Sequence, residues 1–547
     1  MKKINFISLN SKFIHSSLAA AEIEKMYGVY SKRFRVKLPE LTVTETTIND
    51  SFDSIAYSVL NGADTFAFSV YIWNKSLVER LCRHIRIAQP DSTIILGGPE
   101  VSYGTPLETC CDYIICGEGE RAFFALVCEL NGIPVPESWN YTSDGKIRRA
   151  DDAEMAEYEF PYSDDNIGKY DGRIIYYESS RGCPFSCAYC LSSACGKVRE
   201  LPAERVFSEL DFFIRYKVPQ IKFVDRTFNC SRKRAREIWK YIIDAENCET
   251  NFHFEIGADL LTDEDLQLLS HCPKGRIQFE AGIQSTFEPA LDECCRHTDL
   301  KKLFENIRTL VSFGNINIHV DLIAGLPFET HEIFIKSFNE AYTLKAHQLQ
   351  LGFLKLLHGA PLNAMLDRHG YAFSEYPPYE IIYNKYISYG ELAELKKIED
   401  VLERFYNSNR FRRSLSELEK LFASPYKMFT FLADELKKRN ILFKSVSTKI
   451  LYDLLSGLFS NRIEDFDKTL LLDFYTSEKS ELVPSKLRYL ANTKEKLAAF
   501  PGAESQHGNK KAQVKFIGND AYIINYSKHS PVDGGFEIAE VIENVYL

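Results

Sequence analysis

Two series of short apolar runs, each run followed by a helical stretch, limit the fold of this chain more than any other feature. The first series is Lys3–Leu9, Phe34–Leu38, Thr65–Val70, Thr93–Gly98 and Tyr113–Gly117. The second is Ile174–Glu178, Ile221–Asp225, Phe252–Ile256, Ile277–Ala281, Ile318–Ile323 and Leu349–Leu354. Strands that alternate with helices predict parallel sheets, because a parallel crossover needs a connection long enough to hold a helix. The first series predicts a doubly wound sheet, whose ligands bind beyond the carboxyl ends of the strands. That places the loops after Leu9, Ser69 and Leu96 around one crevice. The second series is too short for a closed eight-stranded barrel, so it predicts a partial (β/α)6 barrel.

Composition and punctuation set the expected domains in this chain of 547 residues. Residues 1–135 read as the doubly wound α/β domain. Residues 136–170 read as a polar linker, with Pro136, Pro161 and the acidic run Asp151–Glu157. Residues 171–365 hold the partial barrel, and 366–547 a mainly helical α+β domain. In that last part Ile398–Phe405 and Leu415–Leu421 have helical periodicity, Gly502–Lys511 reads as a loop, and Gly518-Asn-Asp520 as a hairpin turn. Tyr371, Tyr376, Tyr379, Tyr383, Tyr386 and Tyr389 cluster there and are expected to pack against the barrel mouth.

Three cysteines stand in Arg181-Gly-Cys-Pro-Phe-Ser-Cys-Ala-Tyr-Cys190, spaced C-x3-C-x2-C. Three thiolates on one loop can hold three irons of a 4Fe–4S cluster and leave the fourth iron open. A zinc site would want a fourth ligand, usually from a second Cys/His pair. Gly182, Ser186 and Ala188 are small enough to let the loop wrap a cluster. Cys183, Cys187 and Cys190 are therefore the candidate ligands, and Cys195 reads as a packing thiol.

This run resembles the signature of the radical S-adenosylmethionine (SAM) enzymes. In that family the open iron chelates SAM, and an electron cleaves the sulfonium to a 5′-deoxyadenosyl radical. Phe223–Asn229, Phe254–Asp259, Phe279–Ser285 and Asp321–Pro327 resemble strand-end motifs of the branch that includes oxygen-independent coproporphyrinogen oxidase and the tRNA-acetylating elongator enzymes. The resemblance implies that Glu255, Gln284, Arg296 and Asp321 hold SAM and that Tyr189 lies near its adenine. A carboxylate suits the SAM ammonium and an arginine its carboxylate. His253 and His319 alternate with apolar residues and read as structural histidines.

The first domain resembles the cobalamin-binding domain of cobalamin-dependent radical SAM proteins, such as anaerobic magnesium-protoporphyrin ester cyclase and the class B methyltransferases. The matching residues are Ser69-Val-Tyr71, the pair Gly97-Gly98 and Cys116-Gly-Glu-Gly-Glu120. The resemblance implies that Ser69, Gly97 and Gly98 bind the corrin cofactor. The usual D-x-H-x-x-G loop is absent, and Phe13-Ile-His15-Ser-Ser-Leu18 takes its place. His15 lacks the Asp that would orient it, so a corrin without a lower protein ligand is expected.

Net charge is −10, which gives no general pull toward nucleic acid or an anionic membrane. No apolar run reaches membrane-spanning length, and Met1-Lys-Lys-Ile shows no signal-peptide pattern. Fourteen cysteines in such a chain point to the reducing cytoplasm. The expected function is cobalamin-dependent radical SAM chemistry, with methylcobalamin supplying a methyl group to an unactivated carbon. Its partners would be a small-molecule or peptide substrate and a reductant such as flavodoxin or ferredoxin. The alternatives are cyclisation or rearrangement without methylation, and a corrin- or redox-sensing module. A methylthiotransferase would need a second three-cysteine set in the first domain. An RNA-modifying enzyme would want a long basic stripe, and Arg232-Lys-Arg-Ala-Arg236 is short.

Overall fold

The computed structural model describes residues 3–103, 107, 110–194, 197–480, 482–491 and 512–543. Cys195 and Gly502–Lys511 lie outside the described residues. The chain forms two compact units. The first comprises Met1–Leu260, Asp292–His297 and Phe353–Lys385. The second comprises Leu261–Leu291, Thr298–Gly352 and Tyr386–Leu547.

The first unit opens with five parallel strands: β1 (Lys3–Asn10), β2 (Glu40–Thr47), β3 (Thr65–Ser69), β4 (Thr93–Gly97) and β5 (Tyr113–Ile115). Their order is β2-β1-β3-β4-β5, so the winding reverses between β1 and β3. A doubly wound sheet binds ligands at that reversal. Helices α2 (Phe52–Val59) and α3 (Lys75–Ala88) bury Ile55, Val59, Val78, Leu81 and Ile85 against Ile7, Phe66, Phe68, Ile94 and Leu96. Helices α1 (Leu18–Arg33) and α4 (Gly119–Leu130) cover the other face, where Phe123 meets Phe6 edge-on at 6.1 Å.

The expected strand at Phe34–Leu38 is a correction. Phe34 ends α1, and its ring packs edge-on to Trp139 at 5.4 Å. The strand lies further on, in Glu-Leu-Thr-Val-Thr-Glu-Thr-Thr. It is a sheet edge rich in β-branched but polar residues, so apolar periodicity misses it where β-propensity would not. The segment 136–170 also contributes to the sheet. Its strands β6 (Thr142–Asp144) and β7 (Ile147–Arg149) form a hairpin, and β7 pairs parallel with β5.

The same unit then holds β8 (Ile175–Tyr177), β9 (Ser180–Arg181), β10 (Arg199–Glu200), β11 (Gln220–Phe223) and β12 (Asn251–Glu255). Strands β8, β11 and β12 run parallel, with α5 (Ala203–Arg215) and α6 (Arg232–Asp244) between them in sequence. In the second unit β13 (Ile277–Gln284) and β14 (Asn317–Ala324) pair parallel, and β15 (Gln348–Phe353) follows. All six runs of the second series are thus strands. β13 and β14 alternate strictly between buried apolar and half-buried residues, so Glu280, Gln284, His319 and Asp321 share the polar face. Asn407 closes the outer edge of β15 by bonding both the N–H and the C=O of Leu349.

The rest of the second unit is mainly helical, with helices at Tyr389–Leu402, Arg412–Glu419, Pro425–Lys438, Thr448–Phe459 and Phe466–Ser477. A three-stranded antiparallel sheet follows (Ala512–Ile517, Asp520–His529, Phe536–Ile542), with Gly518 in its first turn at φ +64°. The whole is an α/β architecture with a helical α+β end. Of the six tyrosines Tyr379 is buried and Tyr371 and Tyr386 are half-buried, whereas Tyr376 and Tyr389 are 76% and 67% exposed, so packing explains only part of the cluster. No described helix is long and apolar enough to cross a membrane.

Candidate active site

Ser69, Gly97 and Gly98 line one cavity of about 220 Å³ at the carboxyl ends of β3 and β4. Phe6, Ala67, Ile95, Ile115 and Phe123 form an apolar back wall, and Glu22, Glu118, Glu120, Tyr71 and Arg181 are polar lining residues. Gly98 sits at φ +105°, and a Cβ there would lie 2.7 Å from the Val70 carbonyl, so only glycine fits. The Ser69 hydroxyl is buried with no hydrogen-bond partner among the described residues. A buried orphan hydroxyl beside an apolar back wall is what a heteroaromatic or amide-bearing ligand would satisfy. The residues present therefore fit a corrin cofactor.

His15 does not line this cavity. Its Nδ1 lies 2.8 Å from the Tyr176 hydroxyl, and its backbone bridges Ile174. The ring is used to dock the loop after β1 onto β8.

Cys183, Cys187 and Cys190 follow β9 on a loop that closes at β10. The loop is fixed at its start by Asp225, which is fully buried. Asp225 accepts from the Ser179 N–H and hydroxyl and from the Ser180 hydroxyl, at 2.6–2.9 Å. It is fixed further on by the Ala188 N–H donating to Cys294 and by the Leu362 N–H donating to Ala188. Gly182, at φ +104°, brings the backbone so near Lys197 that a Cβ would meet its carbonyl at 2.8 Å. Burial pushes the Cys187 thiol up, while the Arg296 guanidinium 4.0 Å from its sulfur pulls it back down. Three cysteines on a tightly tethered loop fit a cluster with one open iron.

Beyond the cysteines, Glu255 ends β12 and lies 4.0 Å from Arg226. Tyr189 is half-buried, and its hydroxyl is buried with no partner among the described residues. In the second unit Gln284 sits at a bulge between β13 and β14 with φ +69°, and its Oε1 is buried and unpartnered among the described residues. A non-glycine residue held there is strained, a pattern common at ligand clamps. Asp321 lies 3.1 Å from His319, and Glu280 joins them within 4.8 Å, ligand atom to ligand atom. Sequence reasoning missed Glu280, although its two-residue offset from Gln278 and Gly282 on a strand gives its face away.

It also missed Arg181 as more than a neighbour of the cysteines. Arg181 is only 16% exposed and meets Glu178 at 2.6 Å, Glu120 at 3.0 Å, Glu118 at 3.1 Å and Glu22 at 3.5 Å. The signal available was the Glu-Gly-Glu triplet, which carries two of these four partners.

A doubly wound domain with a cavity at the carboxyl ends of its strands, joined to parallel strand–helix units that carry a three-cysteine loop, defines a class. Residues 6–127 match the B12 binding domain and residues 177–341 the radical SAM superfamily. The chain thus carries an N-terminal B12 binding domain followed by a radical SAM domain. The first domain implies cobalamin, and the second a 4Fe–4S cluster, SAM and an external electron donor. Residues 367–522 match a further family, described as a protein of unknown function (DUF4080).

Among individual proteins, the chain is similar to 2-(S-pantetheinyl)-carbapenam-3-carboxylate methyltransferase of Streptantibioticus cattleyicolor. The two are 23% identical over 57% of this chain and 50% of that protein. It is also similar to the cobalamin-dependent radical SAM methyltransferase TokK of Streptomyces tokunonensis, at 24% over 55% of this chain and 48% of TokK. An uncharacterized methyltransferase, PH0819, of Pyrococcus horikoshii is 27% identical over 44% of this chain and 55% of its own length. The chain spans about half the length of these curated relatives. In fold it is similar to OxsB with aqua-cobalamin bound, with a TM-score of 0.58 at 14% identity over 86% of this chain and 80% of OxsB. It is also similar to TsrM of Kitasatospora setae, with a TM-score of 0.53 at 15% identity over 67% of this chain and 75% of TsrM.

Proposed function

We propose that this chain is a cobalamin-dependent radical SAM methyltransferase acting on an unactivated carbon. One observation carries the reading. The cavity lined by Ser69, Gly97 and Gly98 is also lined by Arg181, and two residues after Arg181 comes Cys183. A corrin pocket and a cluster loop that share a wall suit chemistry that uses both cofactors on one substrate. The methyltransferase names of the relatives agree with it.

When bound, the cluster and SAM supply a 5′-deoxyadenosyl radical, and the corrin supplies a carrier for a methyl group. The protein's own residues bind and orient. Cys183, Cys187 and Cys190 hold the cluster as thiolates. Arg296, already turned toward Cys187, pairs with the SAM carboxylate, and Glu255 accepts from its ammonium. Tyr189 borders the adenine. Gln284 and Asp321 take hydroxyl groups of the ribose, which would satisfy the orphaned Oε1 of Gln284. Ser69 bonds the corrin ligand, and Gly97 and Gly98 allow its close approach. The substrate is a small molecule or peptide, the reductant a flavodoxin or ferredoxin, and the setting the cytoplasm.

The test is anaerobic reconstitution with iron, sulfide and hydroxocobalamin, followed by reductant and SAM. Both 5′-deoxyadenosine and S-adenosylhomocysteine should form, and Cys187→Ala should abolish bound iron and deoxyadenosine together. Deoxyadenosine without any S-adenosylhomocysteine would favour the non-methylating chemistry. Deoxyadenosine from the iron-free variant would sink the reading.

A further inference from the structure

The loop that carries the three cysteines has a neck. It leaves the barrel at β9 and returns at β10, where Arg181 and Arg199 are directly opposed partners. Like charges directly across a strand pair repel. Glu118 resolves the conflict. One of its oxygens lies 3.1 Å from the Arg181 guanidinium, and the other is bonded to the Arg199 guanidinium. The Tyr158 hydroxyl also donates to it, at 2.7 Å. Burial alone would push this carboxyl up, yet the two guanidiniums and the phenol hold it below its ordinary range, so it stays charged. Glu118, Arg181 and Arg199 are each about 15–16% exposed, where solvent screens such contacts weakly.

Glu118 has a second face. It immediately precedes α4, between Gly117 and Gly119, and lines the corrin cavity. Arg199 does not line that cavity. The neck itself has little slack, because Gly182 already brings its backbone against Lys197.

We propose that Glu118 is a positioning residue that clamps the neck of the cluster loop to the wall of the corrin cavity, so that filling either site favours filling the other. The proposal rests on the cobalamin reading above. A ligand in the cavity excludes water from Glu118 and strengthens both of its ion pairs, which narrows the neck. A loop closed on its cluster fixes Arg181 and Arg199, which in turn hold Glu118 in place for the corrin. Linkage makes the effect reciprocal, and couplings of this kind typically change affinity by about 5- to 150-fold.

The experiment titrates the full chain with hydroxocobalamin by absorbance, once free of iron and once with the cluster reconstituted. In the wild type the cluster should tighten hydroxocobalamin binding by at least about fivefold. Bound hydroxocobalamin should also slow loss of iron to a chelator. Glu118→Gln keeps the shape of the wall but not its charge, and should bring the affinity ratio close to one. Arg199→Gln alters no cavity residue and should lower the ratio too, which a purely local role for Glu118 in the cavity wall would not produce. Should Glu118→Gln fail to fold, Arg199→Gln and the wild-type ratio decide. A wild-type ratio of one, or a ratio unchanged in both variants, overturns the clamp while leaving cobalamin binding intact. No hydroxocobalamin binding in any form would overturn both readings.

Discussion

Each of the two units buries carboxylates, and they do so by different means. In the first, Glu22, Glu118, Glu120 and Glu178 surround Arg181, with Arg199 on Glu118. In the second, Glu329 is 1% exposed, and among the described residues it has no cation beside it and accepts only from the Ser285 and Ser337 hydroxyls. The charge states follow the supply of cations. Glu118, with two guanidiniums, is held low. Glu22 and Glu178 share the remaining positive charge among too many acids, and burial together with their acidic neighbours pushes them up. Burial alone lifts Glu329 to about 8, because hydroxyl donors offset only part of the lost hydration. Burial thus does not decide whether a carboxylate is charged. The number of cations within reach does.

The largest break in this comparison is Arg181→Gln. It leaves four largely buried acids around a neutral amide, with only Glu118 keeping a cation in Arg199, and removing one partner of a buried pair costs about 3–5 kcal/mol. The expected outcome is a large fall in thermal stability that partly recovers at low pH, where the glutamates are protonated. A melting temperature that stays low at every pH would mean the loss is one of packing, not of charge.

Much of this was legible in the sequence, and the reasons differ by residue. Alternation placed the loops after Ser69 and Leu96 around a crevice, and the resemblance to cobalamin-binding domains singled out Ser69, Gly97 and Gly98 there. The cysteines carry their own spacing. β2 was missed because its threonines and glutamates hide a strand from an apolar pattern, and β6 and β7 because a polar edge hairpin reads as linker. The Arg181 cluster could not be read, since it joins residues from α1, the start of α4 and the end of β8, elements with no local pattern in common. Nothing local in Gly325-Leu-Pro-Phe-Glu329 marks the acid as buried, and only the fold shows Ser285 and Ser337 closing over it.

A sharper test of the comparison is Glu329→Gln, which imitates the protonated acid. In the wild type this group holds its proton in the folded state up to about pH 8 but loses it near its ordinary 4.5 when unfolded. Stability from it is therefore full below that lower value and is lost as pH rises through the window. The slope is at most about 1.4 kcal/mol per pH unit. Melting of variant and wild type should coincide near pH 5, with the variant gaining steadily toward pH 8. Parallel curves would mean that Glu329 is ionised in the fold and that a cation reaches it.

The smallest effect isolates what the hydroxyls do. Ser285 donates to Glu329 at 2.5 Å while accepting from the Phe287 N–H at 3.0 Å, so it is fixed in place before it meets the acid. Ser285→Ala should cost about 1 kcal/mol, the usual net worth of such a bond. It should also move the upper edge of the pH window higher, because both serines pull Glu329 down against burial. The two consequences have different readouts, a uniform drop in melting temperature and a shifted inflection in its pH dependence. A drop without the shift would show that Ser285 acts only as the cap of Phe287. The shift in full would show that two hydroxyls tune this acid as the guanidiniums tune Glu118.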